Sequence, residues 1–148
     1  MKFTSDQPIA IESDRLEVRE KDGVAVFTGA VSVNQGTTTM RAGQLTVYYA
    51  KGEGSVATGS AAIRRLEMSG KVVINSETQT ATGDAGSFDM PSETFVLTGK
   101  RVVLSEGDNV AVGCKLTVQM NSGKADLQSC GNSGRVQIML NPKTAKSN

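Results

Sequence analysis

The sequence predicts an all-β protein whose antiparallel sheet, built of roughly a dozen or more short strands, is folded along a crease. Three observations predict it. Apolar residues alternate with polar ones in most segments, as along a strand with one buried face, and no segment has a convincing helical period. Sixteen glycines against three prolines suit short strands joined by tight turns. The same phrase also recurs with a glycine in mid-strand: FTGAVSV from Phe27, MSGKVVI from Met68 and LTGKRVV from Leu97.

The elements follow in order. Pro8 opens a short run, PIAI, as a strand start or edge. Leu16 and Val18 alternate with polar neighbours, and Lys21, Asp22 and Gly23 make a hairpin turn into Val24. Residues 27–47 read as a strand, a turn at Asn34, Gln35 and Gly36, and a second strand ending in Tyr48 and Tyr49. Residues 51–54 (KGEG) are a flexible polar loop. Residues 63–74 carry strand signals on both sides of Gly70; 61–68 shows only a partial helical face. Residues 75–79 turn the chain, 81–90 form a weak strand, and Pro91 and Ser92 punctuate it. Residues 95–104 are strongly apolar, 106–109 turn again, 110–120 and 125–130 form a hairpin about Asn121, Ser122 and Gly123, and 134–140 is the last strand. Residues 1–142 thus read as one domain, with a polar, frayed tail over 143–148.

Two boxes alternate along the chain. One is small–x–x–apolar–x–apolar: SDRLEV (13–18), AGQLTV (42–47), AGSFDM (85–90) and GCKLTV (113–118). The other is the glycine box, at Gly29, Gly70, Gly99 and Gly134. Regular repetition of one unit marks stacked architectures, because a single unit cannot bury its apolar face alone. A glycine in mid-strand is expected where a sheet bends sharply or another backbone comes close. Four such bends in register fold a long sheet into two facing layers. The glycine-box side chains between them are then Phe27, Val31, Val33, Met68, Val72, Ile74, Leu97 and Val103.

Composition narrows function mostly by exclusion. Sixteen basic residues nearly cancel fifteen acidic ones, so no global charge favours nucleic acid. Histidine is absent, which removes the commonest general base and metal ligand. No stretch approaches the roughly 18 apolar residues of a membrane span. The start, MKFTSDQPIAIES, lacks the apolar core of a signal peptide and leaves open a cytosolic protein or a mature exported chain. Cys114 and Cys130 are equidistant from Ser122 and would face each other across the hairpin, either bridged or as two small buried thiols. They have neither the spacing of a zinc or redox motif nor a histidine partner.

The remaining candidates are weak. Gly70-Lys71 and Gly99-Lys100 lack the other residues of a phosphate loop. Glu12 with Asp14, or Asp84 with Asp89, could be drawn as an acid–base pair, but all fall at turns or outward positions, where charge discourages edge pairing. Arg64-Arg65 and Lys100-Arg101 read as solvated basic pairs, or as a cationic rim beside an apolar groove that would suit an anionic lipid headgroup.

DQPIAIESDRLEV (6–18), VFTGAVSVNQGTTTMRAGQLTV (26–47), TATGDAGSFDM (80–90) and FVLTGKRVVL (95–104) closely resemble the OstA-like family of periplasmic lipopolysaccharide-transport proteins. The resemblance runs in order from Asp6 to about Pro142. It implies a V-shaped β-jellyroll of antiparallel strands whose interior holds the acyl chains of lipopolysaccharide (its lipid A part). It implies head-to-tail homo-oligomers joined through the end strands, bridging an inner-membrane LptC-like protein and an outer-membrane LptD-like protein. It implies a periplasmic location after removal of a signal peptide, no cofactor and no catalysis. Carried over by position, Ile9 and Ile11 are lipid contacts from the P-I-x-I segment, Phe27, Val31 and Val33 from the glycine box, and Leu45 and Val47 from the box that follows. Met68, Val72, Phe88 and Leu97 occupy the matching places further along. The two cysteines depart from the family pattern. The alternatives are an LptC-like or translocon-associated domain of the same fold, or a structural β-polymer without ligand.

Overall fold

The computed structural model describes residues 3–52, 54–58, 61–131 and 134–142. Among them there is no helix, and ten strands join in one antiparallel sheet. Two short strands begin it, β1 (Ala10–Glu12) and β2 (Arg15–Arg19). Six long ones follow: β3 (Val24–Gln35), β4 (Thr38–Tyr49), β5 (Ile63–Ser76), β6 (Gln79–Asp89), β7 (Thr94–Glu106) and β8 (Asn109–Gln119). Two short strands close it, β9 (Lys124–Gln128) and β10 (Gln137–Met139). The strands are fewer and longer than turn signals alone imply, because the mid-strand glycines bend them without ending them. Asn34 and Gln35 lie within β3, so the first long hairpin turns at Gly36 and Thr37.

From β3 to β8 each strand pairs with the next in sequence. Both edges are split. On one side β2 pairs with the first half of β3 and β1 with the second half (Leu16 opposite Phe27, Ile11 opposite Val33). On the other, β9 pairs with the second half of β8 and β10 with the first (Leu127 opposite Leu116, Ile138 opposite Ala111).

The crease is present in all six long strands. Pairing slips between Thr28 and Val31, Arg41 and Gln44, Ser69 and Val72, Thr82 and Ala85, and Thr98 and Val102, one belt crossing the whole sheet. Gly29 and Gly70 sit there at φ of 88° and 76°, and Ala30 and Lys71 beside them at 45° and 66°. A left-handed backbone costs a residue with a side chain about 1–2 kcal/mol, which only the rest of the sheet can impose. A Cβ on Gly70 would lie 3.2 Å from the Gly43 Cα, so two glycines let neighbouring strands touch at the fold line. The crease thus draws on the small-box glycines Gly43 and Gly113 and on Gly83 as well as on Gly29, Gly70 and Gly99. Gly134 is not part of it: it lies outside the strands and packs on Cys130.

The slip also changes which side chains face inward. In β3 and β5 the alternation continues in phase, so Val31, Val33, Val72 and Ile74 are buried as predicted. In β7 it inverts after Leu97. Val102 is therefore buried, and Val103, expected inside, faces outward and is only half-buried. Leu16, at the edge, stays 53% exposed despite its box. The two halves close on a single core, with Met40 and Ile74 from one layer and Leu45, Leu66, Phe88, Leu97 and Leu116 from the other.

A Cβ on Gly29 would lie 2.5 Å from Asp14 Oδ2, so the residue is constrained by both space and φ. Gly29→Val should lower stability by about 2–4 kcal/mol in denaturant titration, adding backbone strain to overpacking. Gly123→Ala, at a turn with open space, should cost about 1 kcal/mol. Equal costs at the two positions would refute the crease as the point of constraint.

Candidate functional site

The predicted lining residues come together. Val31, Val33, Leu45, Val47, Met68, Val72, Phe88 and Leu97 all point between the layers and are almost fully buried. Ile9, Ile11 and Phe27 are half-buried and pack against that interior from the β1–β3 edge. The surface so formed is aliphatic and runs from edge to edge. The interior is closed, its side chains meeting across the gap.

The open side of the fold, opposite the crease, has two lips. One carries the turns of β3–β4 and β5–β6, where the Glu77 N–H donates to the Thr37 carbonyl at 3.5 Å. The other carries the turns of β6–β7 and β8–β9, where the Met120 N–H donates to the Glu93 carbonyl at 2.9 Å. Residues 3–9 run between them. Gln35, at the end of β3, accepts from the Thr4 N–H (2.7 Å) and donates to the carbonyls of Thr4 (2.9 Å) and Gln7 (3.1 Å). Glu93, on the other lip, accepts from the Ser5 N–H at 2.8 Å. Phe3 inserts between the layers and meets Phe88 edge to face, centroids 4.7 Å apart. Neither Phe3 nor Gln35 is signalled by the sequence pattern: a lone aromatic in a polar stretch has no period, and a polar residue in an alternating strand reads as solvated or as a turn.

Of the carboxylates considered for acid–base chemistry, Asp14, Asp84 and Asp89 have structural roles. Asp14 lies against Gly29 at the crease, its N–H donating to the Gly29 carbonyl at 2.9 Å. Asp84 lies against Gly99 in the same way and accepts from the Lys100 N–H at 3.0 Å. Asp89 caps the next turn, accepting from the Ser92 hydroxyl (2.6 Å) and N–H (3.1 Å). Among the described residues no group of acidic or cysteine side chains could hold a metal ion. Arg65 stacks over the Tyr48 ring at 4.5 Å and reaches Glu67 at 3.0 Å, which ties it to the outer face, while Arg64 is exposed. Lys100 and Arg101 project from the bulge of β7 into solvent.

Cys114 and Cys130 form a disulfide, with Cα atoms 4.9 Å apart. It fastens β8 at the crease to the chain that crosses from β9 to β10. Exposed apolar side chains gather just beyond, with Ile138 63%, Met139 70% and Leu140 63% exposed. The loop between β4 and β5 is held by Glu20, whose carboxylate accepts from the N–H groups of Val56 (3.0 Å) and Ala57 (3.3 Å) and from the Ser55 hydroxyl (2.9 Å). That loop places Val56 and Ala61 against the core.

A creased antiparallel sheet enclosing an apolar interior, with two split edges, is the architecture of the OstA-like class. The sequence matches the family described as LptA/(LptD N-terminal domain) LPS transport protein over residues 10–124, and the chain belongs to that family. It is 53% identical, over all of its length and 78% of the relative's, to an uncharacterized protein of Rhizobium meliloti (strain 1021). A second relative, from Rhizobium etli, is described as an uncharacterized protein in the 5′ region of an rpoN-linked probable transport protein. It is 61% identical over 31% of this chain and 82% of its own. Among solved structures the chain is similar to LptH of Pseudomonas aeruginosa, the LptA-homologous periplasmic component of its lipopolysaccharide transport device. The TM-score is 0.75 at 19% identity, covering 93% of this chain and 98% of that one.

The hydrogen bonds to Glu20 hold its carboxyl below the usual range, the Val56 N–H contributing most, and the Ser92 hydroxyl does the same for Asp89. A depressed carboxyl stabilises the fold above its ordinary pKa of about 4, and that contribution is lost as pH falls through the lower folded value. The Val56 amide resonance should therefore titrate with a midpoint below the ordinary glutamate range, and Glu20→Gln should abolish the titration. A midpoint at or above the ordinary value would show that the loop is not anchored this way.

Proposed function

We propose that this chain carries lipopolysaccharide across the periplasm as a non-enzymatic binding protein, holding the acyl chains between the layers of its creased sheet. The observation that carries the reading is the continuous apolar interior between the two layers, in a member of a lipopolysaccharide-transport family. Burial of acyl chains is favourable by about 0.8 kcal/mol per methylene, so a few chains suffice for retention without any specific polar contact. A smooth lining of Val, Leu, Ile, Met and Phe fits a ligand that must also move on. The residues assigned to the lipid are Ile9, Ile11, Phe27, Val31, Val33, Leu45, Val47, Met68, Val72, Phe88 and Leu97.

Transport over a distance requires a partner at each end. The split edges offer unpaired backbone for strand addition, the mode in which main-chain hydrogen bonds give affinity and side chains give selectivity. We assign the β1–β2 and β9–β10 edges to head-to-tail stacking of copies and to docking on LptC-like and LptD-like partners. The family also contains the N-terminal domain of LptD, which keeps a translocon-associated role as a second reading. The closed interior favours a third, a structural β-polymer that carries no lipid.

A photo-crosslinker at Val33 or Leu45 should capture lipopolysaccharide in cells, while one at the outward Thr46 should not. Failure at every inward position in a folded protein would leave the polymer reading. Native mass spectrometry should show concentration-dependent oligomers that Ile138→Asp reduces at least about tenfold in association constant, the effect expected of burying an unpaired charge. Unchanged oligomers would remove the β10 edge from the interface.

A further inference from the structure

We propose that the N-terminal strap, residues 3–7, is a displaceable plug, and that Phe3 occupies in cis a place between the layers that a lipid acyl chain takes in the loaded protein. The inference rests on the lipid-carrier reading above. Three observations lead to it. The lining side chains are closed upon one another, so a ligand can enter only if the layers part or a filler leaves. Among the described residues, Phe3 is the one large side chain with essentially no exposure that no strand carries: the others in that class all belong to β3–β8. Phe3 can therefore withdraw without breaking a ladder. Third, the strap spans the two lips, gripped on one side by Gln35 and on the other by Glu93. It fastens the side through which the layers would separate.

The fastening is of an exchangeable kind. Its hydrogen bonds join backbone groups to side chains, and the Glu93 bond is exposed to solvent, so water replaces it readily. Ser5, Asp6 and Gln7 are exposed, leaving Phe3 as the apolar anchor. An acyl chain offers the same apolar contact to Phe88 and more methylenes beyond. Displacing Phe3 exchanges one buried apolar group for another, while the strap's polar groups return to water. Gln35 is then freed at the lip, where its amide faces the polar end of the incoming lipid.

A plug of this sort lowers apparent affinity by the fraction of molecules in which it is withdrawn. If it is docked in nine molecules of ten, Phe3→Ala should tighten binding of purified lipid A about tenfold. Glu93→Asn should act in the same direction but less. Asn is too short to reach Ser5 and tolerates the positive φ of 52° found there. Hydrogen exchange over residues 3–9 of the whole chain should show protection without lipid and loss of it on adding lipid A, with residues 66–74 still protected. If lipid A binds but the strap stays protected and neither variant binds more tightly, the plug is refuted and the carrier reading stands. Weaker binding by Phe3→Ala with an unchanged melting temperature would make Phe3 a wall of the site instead and likewise refute the plug. If neither the natural chain nor Phe3→Ala binds lipid A, the carrier reading fails and the plug with it.

Discussion

Six long strands have to bend at the same level while each keeps both of its neighbours. A strand bent out of step with the next would leave backbone donors and acceptors unpaired in a buried place, at a cost of a few kcal/mol apiece. The bends therefore come as a belt or not at all, and the belt dictates the sequence along it: glycines at φ values other residues avoid, two glycines in contact between β4 and β5, and aspartates seated over Gly29 and Gly99. The enclosed interior, the lips opposite the fold line and the split edges all follow from this one geometric demand.

The alternation of Val31 with Ser32 and of Leu45 with Thr46 made the strands legible, and the recurrent glycine boxes made the crease legible before any coordinates. The limits of that reading have physical causes. Period-two reasoning assumes an unbroken pleat, and the bulge after Leu97 inserts residues that reverse it, so Val102 replaces Val103 on the inner face. Gly134 shares the motif but not the environment, since the chain there follows the disulfide and carries no strand. Gln35 has the composition of a turn and yet is buried, because its amide is consumed by a segment that joins the fold from far away in sequence. Contacts of that kind leave no local periodicity to find.

The distribution of polar chemistry is consistent with a carrier. Carboxylates that a sequence reader can pair as acid and base serve as braces and caps: Asp14 and Asp84 at the crease, Asp89 at a turn, Glu20 under a loop. The core between the layers is left mostly to aliphatic and aromatic side chains.

The order of pairing has a consequence for how the chain reaches this state. Because β3 to β8 form a meander, each strand can be added to the one just made, with short loops to close everywhere but between β4 and β5 and little entropy lost at each step. The strap is the exception. Its hydrogen bond from Ser5 to Glu93 spans 88 residues, and Phe3 has no pocket until β6 is in place. A segment made early thus settles only after most of the sheet exists.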